Sequence, residues 1–232
     1  MTGLQVNEVF ETIQGEGFWT GTPSIFVRLQ GCPVGCPWCD TKHTWDLLPN
    51  NLRSVDVIMQ ENEESAFYFS ASPESLFALF KDKSYTAKHI VITGGEPCMF
   101  DLVPFTELAH KKGYSTQIET SGTFSISCSE ETWVTVSPKI NMKAGMPVLV
   151  SAMQRANEIK HPVAMQKHID ELNVLLQESD LTQGNNKQNE QSALIYLQPI
   201  SQQERATQLA VDTCIKNNWR LSVQLHKYIG VE

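Results

Sequence analysis

The chain has 232 residues, 41% hydrophobic and 19% charged, an ordinary composition for a water-soluble fold and enough length for one sizeable core. A formal net charge of −8 argues against broad contact with nucleic acid or an anionic membrane, which want a basic surface. No apolar run approaches a membrane span, MTGLQVNEVF is no signal peptide, and six cysteines with three on one loop do not form a disulfide framework; a reduced, cytoplasmic protein is expected.

Residues 24–29 (SIFVRL) read as a strand entering a cysteine-rich loop. Ser72-Pro73-Glu74 starts a helix, with a cap, a first-turn proline and an early acid, and Leu76, Phe77, Leu79 and Phe80 supply its apolar face. Residues 89–93 (HIVIT) are a β-branched strand, and 101–112 a helix stopped by Gly113. Strands are expected at 115–119 and 132–136, helices at 150–157 and 166–177, with a short strand ended by Pro162 between them. A strand at 193–198 leads to a helix running to about Asn217 from a capping box of Ser201 and Glu204, and 220–225 is a last strand. The alternation of strand and helix about six times points to βαβ units and a parallel sheet in one domain spanning 1–232. Residues 46–70 and 178–192 are expected excursions from that pattern, the first packing over the cysteine loop and the second a polar surface loop.

Chemistry-bearing residues follow strands repeatedly. Cys32–Cys39 comes after the first, GGEP (94–97) after HIVIT, Thr120-Ser121-Gly122 and Ser137-Pro138-Lys139 after the next two, and His226 after the last. In a parallel β/α barrel all these positions open onto one face, where active sites are built. Turn chemistry explains any one such loop, but not all of them together.

Cys32, Cys36 and Cys39 form a C-x3-C-x2-C run. Soft thiolates at that spacing suit an iron–sulfur cluster or zinc, yet a closed site needs a fourth ligand. A ferredoxin-type carrier would show a fourth cysteine nearby, and a zinc-binding structural module would need His43, Cys98, Cys128 or Cys214 to complete a tetrahedron. The third reading is a four-iron cluster with one open iron.

The triad, with the aromatic Trp38 before its last cysteine, resembles the signature of radical S-adenosylmethionine (SAM) enzymes, whose glycine-rich loop commonly reads GGEP as at 94–97. The runs ETIQGEG (11–17), FVRLQGC (26–32) and CDT (39–41), with VITGGEP, IETSG, SPK and QLHKY, narrow the resemblance to the 7-carboxy-7-deazaguanine synthase family over essentially the whole chain. The resemblance implies an α/β fold, a partial (β/α)6-type TIM barrel. It implies a 4Fe-4S cluster on Cys32, Cys36 and Cys39, SAM on the open iron, and a 5′-deoxyadenosyl radical on cluster reduction. Trp38, Cys39 and Asp40 would surround the nucleoside. Gly94 and Gly95 would allow close approach of the methionine moiety, and Glu96 would accept from its cationic end. Glu119 and Ser121 would meet the ribose, and Ser137, Pro138 and Lys139 would line the same site.

The implied substrate is 6-carboxy-5,6,7,8-tetrahydropterin. Ile13, Gln14 and Gly15 would meet the pterin edges, and Arg28 offers a planar fork that matches its carboxylate, unless a nearby acid claims it. Thr93 and His226 are further substrate contacts, and Thr41 is an implied Mg2+ ligand, an ion that tolerates few protein ligands because it keeps its waters. A homodimer and a flavodoxin-like electron donor are expected by resemblance, with no direct nucleic-acid or membrane partner. A glycyl-radical activase is the nearest rival within the superfamily, though it would need a polypeptide groove.

Overall fold

The computed structural model describes residues 3–60, 64–181, 193–200 and 203–230. Strands β1 (Leu4–Ile13) and β2 (Pro23–Leu29) form an antiparallel hairpin. Helix α1 (Val55–Ile58) and strand β3 (Phe69–Ala71) follow, β3 pairing antiparallel with the outer edge of β1. Next come α2 (Pro73–Asp82), β4 (His89–Gly94), α3 (Val103–Lys111), β5 (Ser115–Thr120) and β6 (Trp133–Val136). The chain continues through α4 (Val150–Arg155), β7 (Glu158–Val163), α5 (Gln166–Glu178), β8 (Leu194–Pro199), α6 (Glu204–Asn217), β9 (Arg220–Leu221) and α7 (Leu225–Ile229). The sheet order is β3-β1-β2-β4-β5-β6-β7-β8-β9, and every pairing from β2 to β9 is parallel. The sheet is open and mixed rather than wholly parallel, because β1 and β3 add antiparallel; the α/β class and the partial-barrel kind are as expected.

Most expected elements form where their patterns place them. Ser72 Oγ accepts from Ser75 N at 3.2 Å, and Leu76, Phe77 and Phe80 bury the face of α2. β1 was not anticipated. It buries Leu4, Val6 and Val9, but its register shifts between Val6 and Glu8, and such a bulge breaks the clean period of two. Pro162 does not end β7; it pairs opposite Gln198 inside the strand. The ladder between β6 and β7 covers only Thr135–Glu158 and Val136–Ile159, so Pro162 lies beyond β6, where its missing N–H costs nothing on that side. The last strand has two residues rather than six: Ser222 N still donates to Leu197 O at 2.9 Å, but Leu225 N donates to Gly15 O at 2.9 Å and α7 starts instead. Ser201 lies outside the described residues, as does most of 178–192; Gln203 stands at the N-cap of α6 without a side-chain cap.

Two apolar clusters hold the helices to the sheet. One joins Val27, Ile90 and Ile92 to Leu76, Phe80 and Phe105, and the other joins Val134, Ile159 and Leu197 to Leu172, Leu176 and Ala210. The concave side of the sheet is polar instead, carrying Gln117 and Glu119 from β5 and Lys160 from β7. A closed β/α barrel packs this space with branched apolar side chains; here the tip of the β1–β2 hairpin folds into it. Gln14 Nε2 donates to Gln117 Oε1 at 3.2 Å, Phe18 stacks on Trp133 at 4.6 Å, and Trp19 packs on His89 at 4.5 Å. The hairpin thus floors the barrel from one side and leaves the C-terminal ends of the strands open.

Candidate active site

The cysteine loop leaves β2 at Leu29 and is braced by the segment behind it. Gln30 is fully buried; its Nε2 donates to His43 O at 3.0 Å and Asp46 O at 2.9 Å, and its Oε1 accepts from Asn7 Nδ2 at 2.9 Å. Gly31 N donates to Thr44 O at 2.7 Å, Cys32 N to Trp45 O at 2.9 Å, and Trp45 Nε1 to Cys39 Sγ at 3.4 Å. All three thiols are free and open onto one cavity of about 400 Å³. Burial, with repulsion from Glu96, Cys36 and Cys39, pushes the Cys32 thiol up to about 11 against the backbone hydrogen bond that lowers it, and burial likewise raises Cys36. Ionising three buried thiols calls for positive charge beside them, which the irons of a cluster would supply; the donor set fits a cluster.

A single zinc ion fits less well. Among the described residues no three His, Cys, Asp or Glu side chains converge on one ion, whereas the irons of a cluster let their thiolates stand apart. His43 faces Glu64 at 3.5 Å, and neither it nor Cys98, Cys128 or Cys214 lines the cavity with the thiols. The zinc-module alternative therefore lacks its fourth ligand.

The GGEP loop is clamped to this one. Gly95 N donates to Leu29 O and Glu96 N to Gly31 O, both at 2.8 Å. A Cβ on Gly95 would stand 2.1 Å from Gly31 O, so this glycine is required by contact with the cysteine loop itself, and approach of a cofactor is not needed to explain it. Glu96, expected as an open acceptor, is buried and occupied. Its Oε1 accepts from Cys98 N at 2.9 Å and Thr120 Oγ1 at 2.6 Å, while its Oε2 accepts from the backbone and hydroxyl of Ser121. It ties the rim after β4 to the rim after β5.

The cavity gathers nearly every residue expected there. Ile13, Gln14, Gly15, Arg28, Thr93 and His226 line it with Trp38, Asp40, Thr41, Gly95, Glu96, Glu119, Ser121, Ser137 and Lys139. Pro138 instead lines an adjoining cavity of about 210 Å³, with Trp38, Ile140, Pro162 and Ile200. His226 packs on Gly15, where a Cβ would meet its Nδ1 at 2.3 Å. Arg28 reaches the cavity but forms an ion pair with Glu8, its ladder neighbour on β1. Lys139 Nζ donates to Ser137 Oγ at 2.6 Å; burial lowers its pKa first, with Lys160 adding to that, against the pull of Cys36, Glu119 and Glu16.

Glu16 and Lys160 were given no role by sequence reasoning. Lys160 Nζ bridges Glu16 Oε2 at 2.5 Å and Glu119 Oε2 at 2.9 Å. Burial alone would raise the Glu16 carboxyl, but Lys160 overcomes it, helped by Gln224 and His226, and holds it at about 2. A signal existed: alternation along EIKHPV puts Glu158, Lys160 and Pro162 on one face of the strand.

Residues 13–172 match the family model of a 4Fe-4S single cluster domain. The chain is 53% identical to 7-carboxy-7-deazaguanine synthase of Escherichia coli K12 over 97% of its own length and 98% of the relative's. The chain belongs to the 7-carboxy-7-deazaguanine synthase family. A more distant 7-carboxy-7-deazaguanine synthase, from Flavobacterium psychrophilum, is 33% identical over 98% of this chain and 92% of its own. The crystal structure of QueE from Escherichia coli superposes with a TM-score of 0.90 at 52% identity, covering 96% of this chain and 94% of that one. Membership of this radical SAM family carries with it the cluster and SAM as cofactors.

Proposed function

We infer that the protein is a radical SAM 7-carboxy-7-deazaguanine synthase. It converts 6-carboxy-5,6,7,8-tetrahydropterin into 7-carboxy-7-deazaguanine with release of ammonia, in the queuosine pathway. One observation carries this: a single cavity unites the three thiols, the rim loops after β4, β5 and β6, and the TIQGEG hairpin with Arg28. When bound, the cluster and SAM would supply the radical chemistry that removes hydrogen from the substrate carbon bearing the carboxylate.

The chain's residues do the holding. Cys32, Cys36 and Cys39 hold the cluster. The 210 Å³ cavity offers apolar surface from Trp38, Pro138, Ile140 and Ile200, suited to a purine ring. Glu119 and Ser121 adjoin the ribose, and Ser137 and Lys139 the rest of the cofactor. Gln14 and Gly15, with Ile13 behind them, meet the pterin edges beside His226 and Thr93. Arg28 takes the substrate carboxylate while Glu8 fixes its fork. Thr41, whose hydroxyl lies 3.6 Å from the last thiol, would hold Mg2+, which would orient the substrate carboxylate. The same reading makes the enzyme a cytoplasmic homodimer served by a flavodoxin-like donor; all six cysteines being free agrees with a reducing compartment.

Anaerobic reconstitution followed by turnover of the pterin with SAM, Mg2+ and reductant tests the reading. The expected products are 7-carboxy-7-deazaguanine and ammonia, with the rate falling after chelation and returning with Mg2+. A colourless protein holding zinc, without iron or sulfide, overturns it.

A further inference from the structure

Lys160 takes no part in the roles assigned so far, yet its side chain is only 4% exposed and reaches the cavity floor. It bridges carboxylates from opposite halves of the site. Glu119 is the penultimate residue of β5, next to the cofactor rim, whereas Glu16 follows Gln14 and Gly15 in the hairpin. The remaining oxygens are also placed by the protein: Glu16 Oε1 accepts from Gln224 at 2.9 Å and Gln198 at 3.3 Å, and Glu119 Oε1 from Gln14 at 3.1 Å and Gln117 at 3.3 Å. Two carboxylates against one ammonium leave negative charge on the floor. The aminopyrimidinone edge of a pterin presents adjacent N–H donors and fits such a surface.

We propose that Lys160 is a positioning residue that holds Glu16 ionised and fixed against Glu119, so that Glu16 accepts the N–H donors of the substrate's aminopyrimidinone edge. The inference rests on the function proposed above. Lys160 itself is no proton carrier: burial disfavours its charge, but Glu119, Glu16 and Glu158 outweigh burial and raise its pKa. A buried ion triad is seldom the most stable filling for such a space, and apolar side chains of similar volume would do as well for stability alone. Its value lies in the charge it keeps on Glu16.

The test is anaerobic calorimetry of 6-carboxytetrahydropterin binding to the cluster- and SAM-loaded protein without reductant, from pH 6 to pH 8. Wild type is expected to vary less than about threefold, since Glu16 stays ionised throughout. In Lys160→Met, burial of Glu16 is opposed only by Gln224 and His226, its pKa rises toward this window, and affinity falls as pH drops, by at most about tenfold per unit. Lys160→Arg keeps the charge and the flat profile. Glu119, Glu158, Lys139 and His226 also face this cluster and Lys160 acts on Glu158 and Lys139 as well, so Glu16→Gln is added to each protein in parallel, and only the pH dependence that this second substitution removes reports Glu16. If Lys160→Met does not fold, Lys160→Met with Glu119→Gln removes one carboxylate with the ammonium and is read in the same way. A variant lacking the ammonium that binds with a wild-type profile overturns the inference. Wild type that binds no pterin at any pH overturns the proposed function, and this inference with it.

Discussion

Glu16 and Glu158 are both carboxyls turned into the barrel beside Lys160, and their pKa values move in opposite directions. Lys160 bonds Glu16 and holds it at about 2. Glu158 is fully buried; its Oε2 accepts from Phe18 N at 2.9 Å, but among the described residues its Oε1 meets no donor at hydrogen-bond geometry, the Trp133 side chain lying near enough only to lower its pKa a little. Burial therefore pushes it up to about 7, against Lys160 and the Phe18 N–H. The native state binds this proton more tightly than the unfolded chain does. Its stabilising effect is complete below the ordinary glutamate range and is lost as pH rises through about 7. Across pH 4.5 to 7 that loss amounts to about 3 kcal/mol. Glu158→Gln should remove it: the urea midpoint of the variant, relative to wild type, is expected to rise between pH 5 and pH 8. A constant offset at both pH values would mean that Glu158 does not titrate on folding.

Loops at the strand ends depend on backbone contact as much as on side chains. Gly95 lies against Gly31, the residue before Cys32, and the approaching atom is a carbonyl oxygen that no rotamer change can move. Gly95→Ala is expected to cost about 2–4 kcal/mol. It should also lower iron retention after reconstitution, because relief of the clash displaces the cysteine loop; full iron content would show that the loop absorbs the methyl group. At this scale the sequence was legible where one local rule acts alone. Ser72-Pro73 starts α2 and HIVIT forms β4 as their patterns require. It was opaque where a neighbour decides: β1 hides behind a bulge, Pro162 survives in β7 because β6 is short, and β9 stops early because Ser222 and Leu225 are drawn toward the hairpin.

Across the whole molecule, stability and chemistry occupy different faces. The apolar clusters lie between helices and sheet, while the thiols sit on the open rim outside them. Replacing Cys32, Cys36 or Cys39 singly by Ala should abolish iron binding yet shift the apo-protein's urea midpoint little, since none of them belongs to either apolar cluster. Phe105→Ala, which empties a fully buried site touching Phe77, should cost about 3–5 kcal/mol. Iron retained by any triad variant would overturn the ligand assignment. The sequence by itself determined the alternating architecture, the C-x3-C-x2-C run and the strand-end loops, because each is written in short runs and their spacing. Only the tertiary structure decided that Glu96 is a clamp between loops, that Arg28 is held by Glu8, and that Lys160 joins Glu16 to Glu119. Those contacts span 20 to 144 positions along the chain. Charge states inside a barrel are set by what the fold buries together, and no local pattern of residues records it.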